Sequence, residues 1–491
     1  MAPSIVFSLV SLLLVSTCGY VQPLEEGFIS AVLSDKGLEF AKELLIEKGI
    51  ASTVMLQLPE IENSAQVPLV GKAKVVLSNI TINNIQVNSS SVKTGESGIV
   101  LVISGATANL SMTWRYTISS WLIPIGISDS GNASIEVTGM QVGLTVNLRN
   151  QEGSLKLTLL DYGCHVGNLL IKLEGGASWL YQLLVDAFEG NIASAVEEGI
   201  SEKIKEGIVN LDNLLQSLPK QISLDKTAVL NVSFIGNPVL SSSSIAIAIN
   251  GSFTKKNEVL VPLDYQQGLK ISAACGGLQK MMKVSIHENV LKSASLVYYS
   301  ARKMQLIIDK LPDQDILNTA KWRFIVPQLY KRYPNDDMQL NISVSSPPVI
   351  QLTYQDIGAT IFLDIIVEVL EKGELIPVAI ISVKIGASCA VEIVGNNISG
   401  RLRLQQLSTY LKWSKIGNLH MYLIQSVMSS ALKTVIIPYL NYKLKRGFPL
   451  PIVDGYGFQN AIILYNHPWI AVCSDVSLED YYLGQPSPYI S

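Results

Sequence analysis

The feature that most constrains this chain is a strict two-residue alternation sustained over unusually long stretches. Ala108, Leu110, Met112, Trp114, Tyr116 and Ile118 form one apolar row, while Asn109, Ser111, Thr113, Arg115 and Thr117 form the opposite row. Met140, Val142, Leu144, Val146 and Leu148 repeat the pattern, and so do Ile381, Val383, Ile385, Ala387, Cys389, Val391 and Ile393. Side chains alternate faces only in an extended strand, so each stretch predicts a long strand with one face wet and one covered. Such strands imply curved antiparallel sheets rather than a parallel α/β core.

The covering element is legible too. From Trp179 to Leu218 the apolar residues Leu180, Leu184, Phe188, Ile192, Val196, Ile200, Ile204 and Ile208 recur every fourth position. A four-residue step advances about 400° around a helix, so this stripe winds slowly and suits a twisted sheet. Shorter helices are expected over Phe28–Lys48, with Ile29, Val32 and Leu33 on its apolar stripe, and over Val284–Ile308, which carries Leu291. A late helix is expected from Leu419 to Leu444. Placing Leu38 on Leu291 also puts Asp35 on Glu288 and Ala41 on Ala294. Both halves then run short helix, β-meander, long helix, which reads as an internal duplication.

At 491 residues, 48% hydrophobic and only 16% charged, the chain is long for one core and greasy for its class. Long apolar runs are interrupted by charge; Ala359–Ile380, for instance, contains Asp364, Glu368, Glu371, Lys372 and Glu374. The surplus therefore points to an interior that must cover more than itself. Ile5–Val15 is a short apolar run followed by Ser16, Thr17, Cys18 and Gly19, the pattern of a removable signal segment over residues 1–19. Asn-x-Ser/Thr triplets begin at Asn79, Asn88, Asn109, Asn132, Asn231, Asn250, Asn341 and Asn397. Asn109, Asn231, Asn250 and Asn341 fall on the polar face of their strands, where a glycan would reach water.

Four cysteines remain after the leader, Cys164, Cys275, Cys389 and Cys473, and they allow three pairings, all open here. From Val21 to Leu230, 14 Lys and Arg face 22 Asp and Glu, whereas from Asn231 onward 23 face 18. No dense basic face suggests nucleic acid. Lys443, Lys445 and Arg446, with Arg401 and Arg403, form a small basic cluster that is either a patch for anionic lipid or a solvated surface, the late helix's own dipole already favouring cations at its C-terminus. His165, His287, His420 and His467 are scattered, and neither a zinc-helix spacing nor a G-x-S-x-G elbow is present. No cofactor, metal or catalytic residue is expected.

In Ser34-Asp35-Lys36-Gly37-Leu38, Leu58-Pro59-x-Ile61, the hairpin Trp114 and Trp179-Leu180, the chain resembles the bactericidal/permeability-increasing and lipopolysaccharide-binding protein family, most closely its plant members. The resemblance spans nearly the whole mature chain. It implies an α+β fold, an elongated boomerang of two tubular barrels, each a highly curved antiparallel sheet wrapped round a long helix, joined by a central β-sheet. The expected segments are a barrel over 20–219, central sheet and linker over 220–277, and a second barrel over 278–491 with return strands. It further implies a non-enzymatic, secreted, extracellular glycoprotein of the cell wall or apoplast, acting in innate defence. Expected partners are lipids (lipopolysaccharide and phospholipids) and a membrane surface; the alternatives are transfer of endogenous phospholipid or a structural secreted glycoprotein. Tail contacts are expected at Ile29, Val32, Leu33, Leu184, Phe188, Ile192 and Leu291. Two departures stand out. Family members commonly tie the first sheet to its long helix by a disulfide, yet Ser201 stands opposite Cys164. The tip that is basic in animal members here keeps one cation, Arg115, among Trp114, Trp121, Leu122 and Ile123. That tip either meets a membrane or folds back on the barrel.

Overall fold

The computed structural model describes residues 27–67, 71–119, 127–174, 181–256, 275–309, 315–394, 396–449 and 456–478. The leader expected over 1–19 lies outside them. The chain opens with β1 (Ile29–Ser34) and α1 (Asp35–Thr53), then β2 (Ile61–Val67), β3 (Gly71–Gln86), β4 (Ser89–Gly95), β5 (Gly98–Ser119), β6 (Ile127–Gln151), β7 (Ser154–His165), β8 (Asn168–Glu174) and the 37-residue helix α2 (Tyr181–Ser217). A middle segment carries β9 (Gln221–Ser223), β10 (Ala228–Asn231), β11 (Phe234–Ser241), β12 (Ser244–Ile249) and β13 (Phe253–Lys255). The second half runs β14 (Met282–His287), α3 (Glu288–Ser300), β15 (Gln305–Ile308), α4 (Pro327–Arg332), β16 (Met338–Val344), β17 (Val349–Leu352), β18 (Ile357–Glu371), β19 (Glu374–Val394) and β20 (Asn397–Ser414). It closes with α5 (Met421–Lys445), which passes through a π turn at Leu432–Ile436, then β21 (Phe448–Pro449), β22 (Tyr456–Asn466) and β23 (Trp469–Leu478).

Two seven-stranded antiparallel sheets form the halves, in the order β2-β3-β5-β6-β7 with β4 and β8 alongside, and β15-β16-β18-β19-β20-β21 with β17 alongside. Strands of 22 and 25 residues cannot stay straight, because strand twist accumulates along them. Bulges bend them: β5 leaves register between Ser104 and Ala108, where Gly105 takes φ +69°, and its neighbour β6 has Gly139 at φ +71° beside that corner. At this corner β5 exchanges β4 for β3 as partner, and β6 exchanges β7 for β8. The sheet thereby curls.

A six-stranded sheet, β11-β12-β1-β14-β23-β22, joins the halves. β1 and β14 lie antiparallel at its centre, with Ile29 opposite Ile286 and Leu33 opposite Met282. Each leads directly into its half's first helix, capped by Ser34 and by His287, whose side chains accept from the N–H groups of Gly37 and Asn289. Asp35 and Glu288 are thus equivalent first helical residues, as a pseudo-twofold duplication requires. Here the structure corrects two expected helices. Residues 29–34 and 282–287 are strands, and 305–308 is an edge strand. Ile29, Val32 and Leu33 accordingly sit in the joining sheet rather than on a helical stripe; their run is too short for helical periodicity to outweigh strand pairing on both sides. Among the described residues the segment 220–277 supplies two strands of that sheet, β11 and β12, the others coming from both halves.

The halves are locked together by ionic and covalent links. The Asp475 carboxylate on β23 accepts from Lys36 at 2.8 Å and Lys280 at 3.1 Å, and a Cys275–Cys473 disulfide ties the linker to the same strand. Cys164 and Cys389 are free, half-buried thiols. Burial, helped by the Glu197 charge, pushes Cys164 up to about 12, so it is protonated and unreactive at neutral pH.

Candidate lipid-tail sites in the two barrels

In the first barrel the alternating row of β5 meets the winding stripe of α2. Phe188, Ile192 and Val196 are fully buried against Leu77, Met112, Trp114, Ile171 and Ala195. Trp114 is only 2% exposed; its indole N–H donates to the Asn132 carbonyl at 3.1 Å and its ring stacks on Tyr116. Gly131 makes room for it, since a Cβ there would stand 2.6 Å from the indole. Trp114 is therefore core, which corrects its expected place at a membrane-facing tip. Arg115, its neighbour on the other face, is exposed, while Trp121, Leu122 and Ile123 lie outside the described residues. The space left among Leu77, Met112, Trp114, Ile171, Leu173, Phe188 and Ile192 is about 10 Å³. That is room for about one water molecule, and its lining is wholly apolar. A tail entering here must part packed walls. Leu184 lies one turn before Phe188 on α2, and Leu291 is half-buried on α3.

Both barrels use one device to seat the long helix. An edge strand carries N–H groups that need acceptors, and helix side chains provide them. In the first barrel Asp212 accepts from Leu157 N–H at 2.7 Å and Glu197 from Val166 N–H at 2.8 Å. In the second, Asn441 accepts from Leu402 N–H at 2.7 Å and donates to the Leu402 carbonyl at 3.0 Å, while Gln425 accepts from Thr409 N–H at 3.1 Å. Sequence reading missed all four. The signal was present as a polar residue interrupting an apolar helix.

The second barrel differs inside. Its core gathers at the far end around Val369, Val378, Val383, Ile365, Leu329 and Ile424. Past Met428 no α5 side chain joins a described core cluster. On the helix only Ile424 is fully buried, and Leu423, Val427, Met428, Leu432, Ile437 and Leu444 are half-buried. Facing it, Ala387, Cys389 and Val391 on β19 and Leu402 and Leu404 on β20 remain half-exposed. Cys389 and Leu444 approach the same space, since a Cβ on Gly400 would lie 3.0 Å from Sγ of the first and 4.0 Å from Cδ1 of the second. By length and composition α5 could cross a membrane, but its amide clamps hold it along β20.

Of the eight glycosylation triplets, Asn79, Asn88, Asn109, Asn132 and Asn397 are exposed, and Asn250 and Asn341 are half-buried. Asn231 is 6% exposed and its Oδ1 accepts from Ser233 N–H and Oγ, which corrects its expected outward placement. Alternation put it on a polar row, but β9 and β13 flank that strand. Among the described residues no three His, Cys, Asp or Glu side chains gather as a metal site would need.

Models of the LBP/BPI/CETP family match here, the N-terminal domain over residues 37–218 and the C-terminal domain over 222–478. The chain belongs to the LBP/BPI/CETP family. A BPI/LBP family protein of Arabidopsis thaliana is 48% identical over 93% of each chain. Human lipopolysaccharide-binding protein is 24% identical, covering 86% of this chain and 88% of its own. Bactericidal permeability-increasing protein of Sebastes schlegelii is 24% identical, over 90% and 94%. The crystal structure of lipopolysaccharide binding protein shares the fold at a TM-score of 0.65, with 20% identity, over 92% of this chain and 99% of that one. The family fold is a lipid-binding one, two barrels about a joining sheet.

Proposed function

We propose that this protein is a secreted, non-enzymatic lipid carrier of plant defence that holds acyl chains in its barrels, with bacterial lipopolysaccharide as its ligand. The observation that carries the tail site is α5, an apolar helix held along a curved sheet with only Ile424 fully buried and Leu432, Ile437 and Leu444 left half-covered. A hydrocarbon tail laid against Cys389, Val391, Leu402, Leu404 and Leu444 would supply the missing partner, at about 0.8 kcal/mol per buried methylene. In the first barrel the tail would run along Leu184, Phe188 and Ile192, displacing packed side chains. Similarity to lipopolysaccharide-binding proteins supports lipopolysaccharide as the ligand, and the apolar leader and exposed Asn-x-Ser/Thr sites support export.

Organic extraction of protein purified from its native source, followed by mass spectrometry, tests the tail site. Lipid near one molecule per protein or more is expected; protein free of lipid would sink the proposal. Competition of lipopolysaccharide against a labelled phospholipid then tests the ligand. Displacement at micromolar lipopolysaccharide is expected. Failure to displace would favour a second reading, transfer of endogenous phospholipid, which the single cation, Arg115, in the first-barrel tip sequence also favours.

A further inference from the structure

Residues 395–453 contain eight Lys and Arg and no Asp or Glu. In the fold this run is β20 and α5, which lie side by side, so an acid-free sequence becomes a surface whose own two elements carry no acid, bordered by Glu392 on β19. Lys412 is paired with Asp364 at 2.7 Å. Arg401, Arg403, Lys415, Lys433, Lys443, Lys445 and Arg446 are exposed and make no ion pair with a described residue.

The C-terminal half of α5 joins this charge to grease. Val435, Ile436, Tyr439, Leu440 and Tyr442 are all exposed large side chains. The Lys443 ammonium stands 5.7 Å from the Tyr439 ring. The Arg446 guanidinium stands 5.0 Å from the Tyr442 ring and donates to its hydroxyl at 2.8 Å. Aromatic rings beside long cationic side chains, with aliphatic residues one turn away, are the composition that settles at a lipid interface: rings at head-group depth, ammonium and guanidinium groups at phosphates, aliphatics among the upper acyl carbons. A nucleic acid would use the cations but leave Val435, Ile436 and Leu440 against water.

We infer that the surface formed by β20 and the C-terminal half of α5 docks on bilayers bearing anionic phospholipid. The second barrel, not the first, is then the membrane-facing half. Its cations answer the negative surface, and the first half, with its excess of carboxylates, is repelled by it.

The test is co-flotation of the full chain with vesicles of phosphatidylcholine alone, or with a third phosphatidylglycerol. Partitioning at least about tenfold higher onto the anionic vesicles is expected, weakening as salt rises and the screening length shortens below about 8 Å. The triple variant Lys443→Ser, Lys445→Ser, Arg446→Ser should lose that preference. The charge-matched control Arg149→Ser, Lys156→Ser, Lys172→Ser in the first barrel should keep it. All six positions are exposed, so both proteins should melt as the parent does. No preference in the parent, a preference kept by the first triple, or equal loss in the control would each overturn the inference. Vesicle docking is read separately from extracted lipid, so its failure leaves the tail site untouched.

Discussion

The first barrel seats its helix with Asp212 and Glu197, the second with Asn441 and Gln425. In the first barrel the space beside Phe188 and Ile192 holds about one water; in the second, the apolar side of the helix past Ile424 is only half covered. One duplicated architecture thus carries two different interiors. A common backbone does not fix how completely side chains fill the tube, and the barrel that leaves hydrocarbon unsatisfied is the one readiest to accept a guest. The amide clamp also adds no acid of its own where the second barrel's cations gather.

Several substitutions would break or sharpen this contrast. Phe188→Ala should destabilise the protein by about 3–5 kcal/mol, because the packed first interior cannot collapse around the loss. A smaller cost in denaturant melts would mean that interior is looser than described. The clamps come next. Asn441→Asp turns the donor facing the Leu402 carbonyl into an acceptor and should cost about 1–3 kcal/mol, while Asp212→Asn keeps an acceptor for Leu157 N–H and should cost less than about 1 kcal/mol. Equal costs would remove the chemical distinction between the barrels.

The joint between the halves has its own pH signature. Burial pushes the Asp475 carboxyl up, but the hydrogen bonds and charges of Lys36 and Lys280 outweigh it and hold it below the usual carboxylate range. A depressed folded value means stability that is complete above the unfolded value of about 3.9 and is lost as pH falls through the lower folded one. Asp475→Asn should cost about 1–2 kcal/mol near neutrality and flatten the loss of stability below about pH 4 in thermal melts. The smallest effect on stability is expected inside the second barrel. Leu404→Trp, at a half-exposed position, should change stability by within about 0.5 kcal/mol, yet it should lower the lipid recovered by extraction. Undiminished lipid would place the tails elsewhere.

Much of the fold was legible because it is written in two periods. The row from Ala108 to Ile118 is inside the first barrel as alternation requires, and the four-residue stripe from Phe188 to Ile200 faces it. The same alternation already put Trp114 indoors; expecting it at the tip gave too much weight to its residue type. The short strands β1 and β14 were hidden because six-residue runs such as Ile-Ser-Ala-Val-Leu-Ser and Met-Lys-Val-Ser-Ile-His suit either element, and only the caps at Ser34 and His287 mark where the helix begins. Asn231 read as outward from its own strand, and its burial depends on flanking strands distant in sequence.

By itself the sequence determined the elements, the duplication and the excess of apolar residues, since periodicity and composition are local properties. Tertiary structure alone decided which excess is satisfied. Residues far apart in the chain packed Phe188 shut and left the later part of α5 only half covered, and the adjacency of β20 and α5 turned a run without acid into a surface. Coverage is a relation between distant side chains, and no local pattern encodes it.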